Sequence, residues 1–237
     1  MHWLHIGRGI STFNGIGCRT MKGPIGQRFA FPDPRRAGPD GLVAVGGDMS
    51  PGRLLAAYRA GIFPWTDDPV TWWSPDPRGI FELDQIHISR SLARVIRQGH
   101  FEVTVDRAFP AVMKGCAAPA PGREETWISP KFIAAYTRLH AEGHAHSVEC
   151  WRDSALAGGI YGVTIGGLFA GESMFHREDN ASKVALVHLA RHLRKREFAL
   201  FDIQMITPIT GQMGAVAIPR ADYLERLRVA VEKPCVF

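Results

Sequence analysis

The stretch GGLFAGESMFHREDNASK, residues 166–183, sets Glu172 among glycines and the apolar side chains of Phe169, Met174 and Phe175. A carboxylate on such a strand loses much of its hydration and must be met by a cation or by hydrogen-bond donors. The cation could come from the chain itself, with Arg177 and Lys183 nearest in sequence, or from a ligand amine or guanidinium. A second acid and an amide follow in FALFDIQMI, where strand alternation puts Leu200, Asp202 and Gln204 on one face and Phe201, Ile203 and Met205 on the other. An acid and an amide thus share a face. Familiar signatures of other chemistries fail. GESMF carries Phe175 where a nucleophile elbow needs glycine. His140, His144 and His146 in HAEGHAH lack the H-E-x-x-H order of a zinc site. No phosphate-cradling glycine loop follows a strand, and VAVGGDMS reads as a turn into a capped helix. No metal site and no nucleotide cofactor are expected.

The surface adds a second theme. Arg90, Arg94 and Arg97 are spaced four and three residues apart, which aligns them along one helix face, and RHLRKR adds Arg191, Arg194, Lys195 and Arg196. With a net charge of +5, such clusters fit either a polyanionic partner or a solvated face. Trp65 in IFPWT and Trp127 in EETWIS sit in turn-rich sequence, where an indole can stack on a nucleobase or pack across a domain interface. The four cysteines show no C-x-x-C pairing and fit reduced thiols, and no apolar run reaches the ~18 residues of a membrane span.

The elements that must carry these residues form a mixed α+β order. DMSPGRLLAAYRAG predicts a short helix with Ser50 as cap, Pro51 in its first turn and Gly61 as its end. IFPWTDDPVTWWSPDPR reads as irregular, rigid chain, with a domain seam near residues 74–77. Ser89 caps the basic helix, FEVTVD alternates like a strand, and Ser129 caps a helix that ends at Gly143. Residues 145–176 then hold three antiparallel strands divided at Asp153-Ser154 and Gly166-Gly167. A helix starting at Asn180 or Ser182, the strand with Asp202, and a last helix led in by Pro219 complete the chain. At about 150 residues per domain, 237 residues suggest two. The division is a loose extension over 1–24, with Met21 as an alternative start, a small N-terminal domain over 25–76, and a larger domain over 77–237.

In their order and spacing, GLVAVGGDMSPGRLLAAYRAGIFPW, WWSPDPRGIF, HISRSLAR, TWIS, YTRLHAEGHAHSVECW, GGIYGV, GLFAGESMFHREDNASKVAL, DIQ and IPRADYL resemble the leucyl/phenylalanyl-tRNA-protein transferase family. The likeness runs from about Phe31 to Tyr223. It implies a C-terminal domain similar to the GNAT acyltransferase fold, a cytoplasmic enzyme without metal or coenzyme, and a monomer. It also implies transfer of leucine or phenylalanine, and more weakly methionine, from aminoacyl-tRNA to proteins beginning with arginine or lysine, marking them for N-end rule degradation. By the same resemblance Glu172 matches the residue that holds the basic N-terminus of the acceptor, and Asp202 and Gln204 match the acid and amide assigned to the reacting amine. Ile160, Phe169, Met174 and Leu189 fall at positions of the apolar pocket for the transferred side chain. Trp65 and Trp127, with Tyr58 and Tyr136 beside them, match residues around the terminal adenosine of the tRNA. Arg90, Arg94 and Arg97 become the expected contacts to the acceptor stem.

An aminoacyl ester is already activated, so the demand on the protein is to orient an uncharged amine and dispose of its proton. On this reading Asp202 polarises Gln204, whose oxygen accepts from the α-amine, and the proton goes either to Asp202 or to the neighbouring hydroxyl of the tRNA. Leu189 departs from a pattern that can place phenylalanine there, as do Ile209, Gln212 and Ala217 from positions often held by histidine, serine and glutamate. A noncatalytic tRNA-binding module is the rival expectation. It would keep the arginine face and the tryptophans but would not need Asp202 and Gln204.

Overall fold

The computed structural model describes residues 29–120 and 124–237; the expected N-terminal extension lies outside them. The N-terminal part is built on a three-stranded antiparallel sheet, β1 (Leu42–Val45), β2 (Phe63–Asp67) and β3 (Val70–Trp73), in the order β1-β3-β2. Helix α1 (Pro51–Arg59) lies between β1 and β2. The segment expected to be irregular is therefore a hairpin, and Trp65 stands on a strand. The prolines sit where a strand tolerates them, with Pro69 in the turn and Pro64 opposite Trp72 beside a shift in register. Pairing of aromatic and β-branched residues outweighs the local turn signals. Ser50 occupies the N-cap of α1 without capping it: its hydroxyl accepts no backbone N–H of the first turn, while its own backbone N–H donates to Asp48.

Between Trp73 and Arg78 the chain passes into a second sheet. Its members are β4 (Arg78–Phe81), β5 (Glu102–Val105), β6 (Ala145–Arg152), β7 (Ala155–Ile165), β8 (Leu168–His176), β9 (Leu200–Gln204) and β10 (Val216–Ile218). Their order is β10-β4-β9-β8-β7-β6-β5, antiparallel except for β8 beside β9. The expected meander is β6–β8, and Asp153 and Ser154 both take positive φ (48° and 64°) in its first turn. The helices are α2 (Arg90–Gln98), α3 (Phe109–Ala117), α4 (Pro130–Ala141), α5 (Ala181–Lys195), α6 (Pro208–Gln212) and α7 (Arg220–Ala230). Ser89 and Ser129 cap α2 and α4 as expected, each accepting a backbone N–H of the first turn.

Helix α5 covers one face of the large sheet, where Val184, Leu186, Leu189 and Leu193 pack with Ile160, Phe169, Phe201 and Ile203. The opposite face receives α1, α3 and α4 at one end and α7 at the other. Gly61, at φ 76°, ends α1 so close to α7 that a Cβ would stand 2.7 Å from Leu224. Arg220, buried on α7, reaches back to the carbonyls of Ser74 and Ala37. The last helix thus fastens the N-terminal part to the large sheet.

Candidate active site

Strands β8 and β9 pair through Leu168–Leu200, Phe169–Phe201 and Ala170–Asp202, and then part. The gap is flanked by the second half of β8 and by Ile203 and Gln204. On its other edge, β8 pairs Met174 with Ile160, Ser173 with Tyr161 and Gly171 with Gly162, so Glu172 is an extra residue in a bulge. A bulge re-aims one side chain out of the ladder, and here it turns the carboxylate toward the aromatic layer beneath α1 and α4. Tyr136 donates to Glu172 at 3.5 Å, and Tyr58 and Tyr136 join their hydroxyls at 2.5 Å. The Gln204 amide nitrogen donates to the other carboxylate oxygen at 3.1 Å.

Glu172 forms no ion pair among the described residues. Arg177 instead bonds the Leu156 carbonyl and lies over the Phe175 ring, so the internal salt bridge open to the sequence is not made. Burial against the aromatic layer pushes the Glu172 carboxyl up to about 8; the Asp202 charge adds to the rise, and the tyrosine hydroxyls and Arg78 oppose it. Some solvent still reaches the residue. The same burial, with Glu172 beside them, raises Tyr58, Tyr136 and Tyr161 well above the usual phenol range. The Tyr161 hydroxyl is buried and has no hydrogen-bond partner among the described residues.

Asp202 has 0% exposure and is gripped by Arg78, which donates from Nε to Oδ1 at 2.8 Å and from Nη2 to Oδ2 at 2.6 Å. Tyr223 of α7 donates to Oδ2 at 3.0 Å, and the Gln204 backbone N–H to Oδ1 at 2.9 Å. Burial works against the Arg78 charge, but Asp202 more than offsets it and holds the guanidinium above its ordinary pKa. Strand alternation does put Asp202 and Gln204 on the face of Glu172. The expected side-chain contact between them is absent: Asp202 holds the backbone of Gln204, and the amide goes to Glu172. Gln204 itself stands at φ 57°, and opposite it a Cβ on Gly79 would lie 2.9 Å from the Met205 backbone.

The four residues expected to line the apolar pocket, Ile160, Phe169, Met174 and Leu189, gather in the single cluster under α5. They therefore approach the gap from the face opposite Glu172, and only Met174 of the four is more than marginally accessible. Tyr58 and Tyr136 present their hydroxyls to Glu172. Trp65 packs edge-on to Trp73, and Trp127 edge-on to Phe132, which in turn touches Tyr136. Both indoles are half-buried, and their segments are tied by a hydrogen bond from Ser129 to Asp67. Arg90, Arg94 and Arg97 are exposed on α2, while Leu92 is buried on its other side. His140 bonds the Ala145 carbonyl and His146 pairs with Asp106 at 2.7 Å, so these side chains already have internal partners. A cleft of about 290 Å³ between Arg59, His144, Thr164 and the C-terminal residues holds none of the expected site residues.

Sequence reasoning missed Arg78 and Tyr223. The demand for a partner that singles out Glu172 would, applied to Asp202, point to a buried cation; Arg78, next to β9 in the sheet, lies at the end of the segment expected to be irregular.

The sequence pattern described as Leucyl/phenylalanyl-tRNA protein transferase matches residues 80–228, and that of the N-terminal domain of the same family matches residues 47–76. A Leucyl/phenylalanyl-tRNA--protein transferase from Anaeromyxobacter sp. (strain Fw109-5) is 54% identical over 88% of this chain and 90% of its own. One from Thiobacillus denitrificans is 53% identical over 90% of this chain and 96% of its own. Among solved structures, L-PGS from Bacillus licheniformis overlaps 74% of this chain and 60% of its own with a TM-score of 0.41 at 10% identity. A tandem GNAT protein from the clavulanic acid biosynthesis pathway overlaps 74% and 59% with a TM-score of 0.33 at 15% identity. The chain is an enzyme of the aminoacyltransferase class. It belongs to the leucyl/phenylalanyl-tRNA protein transferase family.

Proposed function

We propose that this chain moves leucine or phenylalanine, and methionine more weakly, from aminoacyl-tRNA to the N-terminal α-amine of proteins beginning with arginine or lysine. The acceptors are thereby marked for N-end rule degradation, and the enzyme works as a cytoplasmic monomer. Residues 25–76 serve as a small N-terminal domain, and 77–237 as a GNAT-like catalytic domain. The observation that carries the reading is Glu172: a partly exposed carboxylate with an amide and a tyrosine as neighbours and, among the described residues, no cation in ion-pair contact. A guanidinium or ammonium from the acceptor supplies the missing charge.

In the reaction the α-amine nitrogen bonds to the ester carbonyl carbon, the carbon–oxygen bond to the tRNA breaks, and the ribose oxygen leaves. The amine gives up one proton and the departing oxygen gains one. Gln204 donates to Glu172 through its nitrogen, which leaves its oxygen to accept from the amine. The transferred side chain lies between Met174, Ile160, Phe169 and Leu189, Trp65 and Trp127 hold the terminal adenosine, and Arg90, Arg94 and Arg97 hold acceptor-stem phosphates. Incubation with charged Leu-tRNA or Phe-tRNA and peptides beginning with Arg, Lys or Ala tests this. Extension of the Arg and Lys peptides alone is expected, and equal extension of the Ala peptide contradicts it.

A further inference from the structure

We propose that Arg78 and Tyr223 are positioning residues for the transfer, and that Asp202 acts as their fixed anvil rather than as the proton acceptor. This rests on the role given to Gln204 above.

The Asp202 carboxylate accepts four hydrogen bonds: two from Arg78, one from Tyr223 and one from the Gln204 backbone. All are internal, and the group has 0% exposure. A carboxylate whose lone pairs are taken by a bidentate guanidinium, a phenol and an amide has no site from which to receive the amine's proton. What it does have is a grip on Gln204. The bond to the Gln204 N–H holds that residue at φ 57°, a region a glutamine adopts at a cost, and so aims its amide at Glu172.

Arg78 reaches further. Its Nη1 donates to the Gly61 carbonyl at 3.1 Å, at the end of the helix that carries Tyr58. Its Nη2 also donates to the Tyr223 hydroxyl at 3.2 Å, and its guanidinium lies 4.3 Å from the Tyr223 ring centroid and 5.2 Å from that of Phe63. One planar cation therefore fixes Gln204 through Asp202 and Tyr58 through Gly61, and both of these side chains hydrogen-bond Glu172. Lysine keeps the charge but cannot form this fork.

The test is a double-variant cycle on the transfer rate with an Arg-initial peptide, using Arg78→Lys and Gln204→Ala singly and together. Arg78→Lys is expected to lower kcat about 10- to 100-fold with KM for the peptide nearly unchanged. In that background Gln204→Ala is expected to cost less than about threefold more, because a misaimed amide has little left to lose. Costs that multiply would show that Arg78 serves only stability and would overturn the proposal. Tyr223→Phe removes a single hydroxyl and keeps the ring, so it covers the case in which Arg78→Lys does not fold. The same non-additivity with Gln204→Ala is expected, with a drop of about 3- to 10-fold alone. Wild-type kcat in Tyr223→Phe overturns the role of the phenol. Full activity of Gln204→Ala alone removes the role of Gln204 and this proposal with it, whereas multiplicative costs leave Gln204 standing and remove the clamp alone.

Discussion

Acceptor binding should release a proton. The Glu172 carboxyl is pushed up to about 8, so at pH 7 the empty site holds it protonated in roughly a ten-to-one ratio. A guanidinium binds the carboxylate and not the acid, so each pH unit below 8 weakens binding by about 1.4 kcal/mol. An arginyl peptide lacking its α-amino group isolates this effect, because its guanidinium stays charged throughout. Its Kd should fall about tenfold between pH 7 and pH 9 and then level off. Calorimetry at pH 7 in buffers of different ionisation enthalpy should read about 0.9 proton released per peptide bound. In Glu172→Gln the affinity should be weak and flat across the same range. A wild-type Kd that does not change between pH 7 and pH 9, or a net uptake of protons, would refute the reasoning.

Tyr136→Phe removes a donor that lowers the Glu172 pKa, so it should move the midpoint of that Kd profile to higher pH and weaken binding at pH 7 several-fold. The raised pKa also has a stability consequence. The folded chain keeps this proton above the ordinary 4.5, so its contribution is full below that pH and is lost as pH rises through about 8. The melting temperature of Glu172→Gln relative to the parent should therefore be higher at pH 9 than at pH 6, as read by thermal unfolding in the two buffers. Replacing Arg90, Arg94 and Arg97 together with alanine should weaken tRNA binding and flatten its log Kd against log salt slope by about 2 to 3, with the unfolding midpoint nearly unchanged.

Much of this arrangement was legible because it rests on local rules. The turn at Asp153-Ser154, the caps at Ser89 and Ser129 and the alternation of β9 each depend on neighbours in sequence. Glu172 stood out for the same reason, as a carboxylate among glycines. What escaped depends on pairings between distant segments. Strand β4 is four residues long and gains its identity from β9, more than 100 residues later. Helix α3 begins at Phe109 after Ala108, an N-cap that offers no side-chain hydrogen bond, which left Pro110 as its start signal without the cap residue that marked α2 and α4. The bulge at Glu172 exists only in the register with β7, and the grip on Asp202 needs Arg78 and Tyr223 from opposite ends of the large sheet's chain. The resemblance named the candidate site residues; the bonds among them required the fold.

The most direct measurement is kcat/KM for two peptides that differ only in beginning with Arg or Ala, compared between the parent enzyme and Glu172→Gln with the same charged tRNA. The parent should favour the Arg peptide by about 10- to 100-fold, and Glu172→Gln should bring the ratio near one chiefly by losing the Arg peptide. A Glu172→Gln enzyme that keeps the parent's preference would contradict the account, because the acceptor's positive charge would then be read elsewhere.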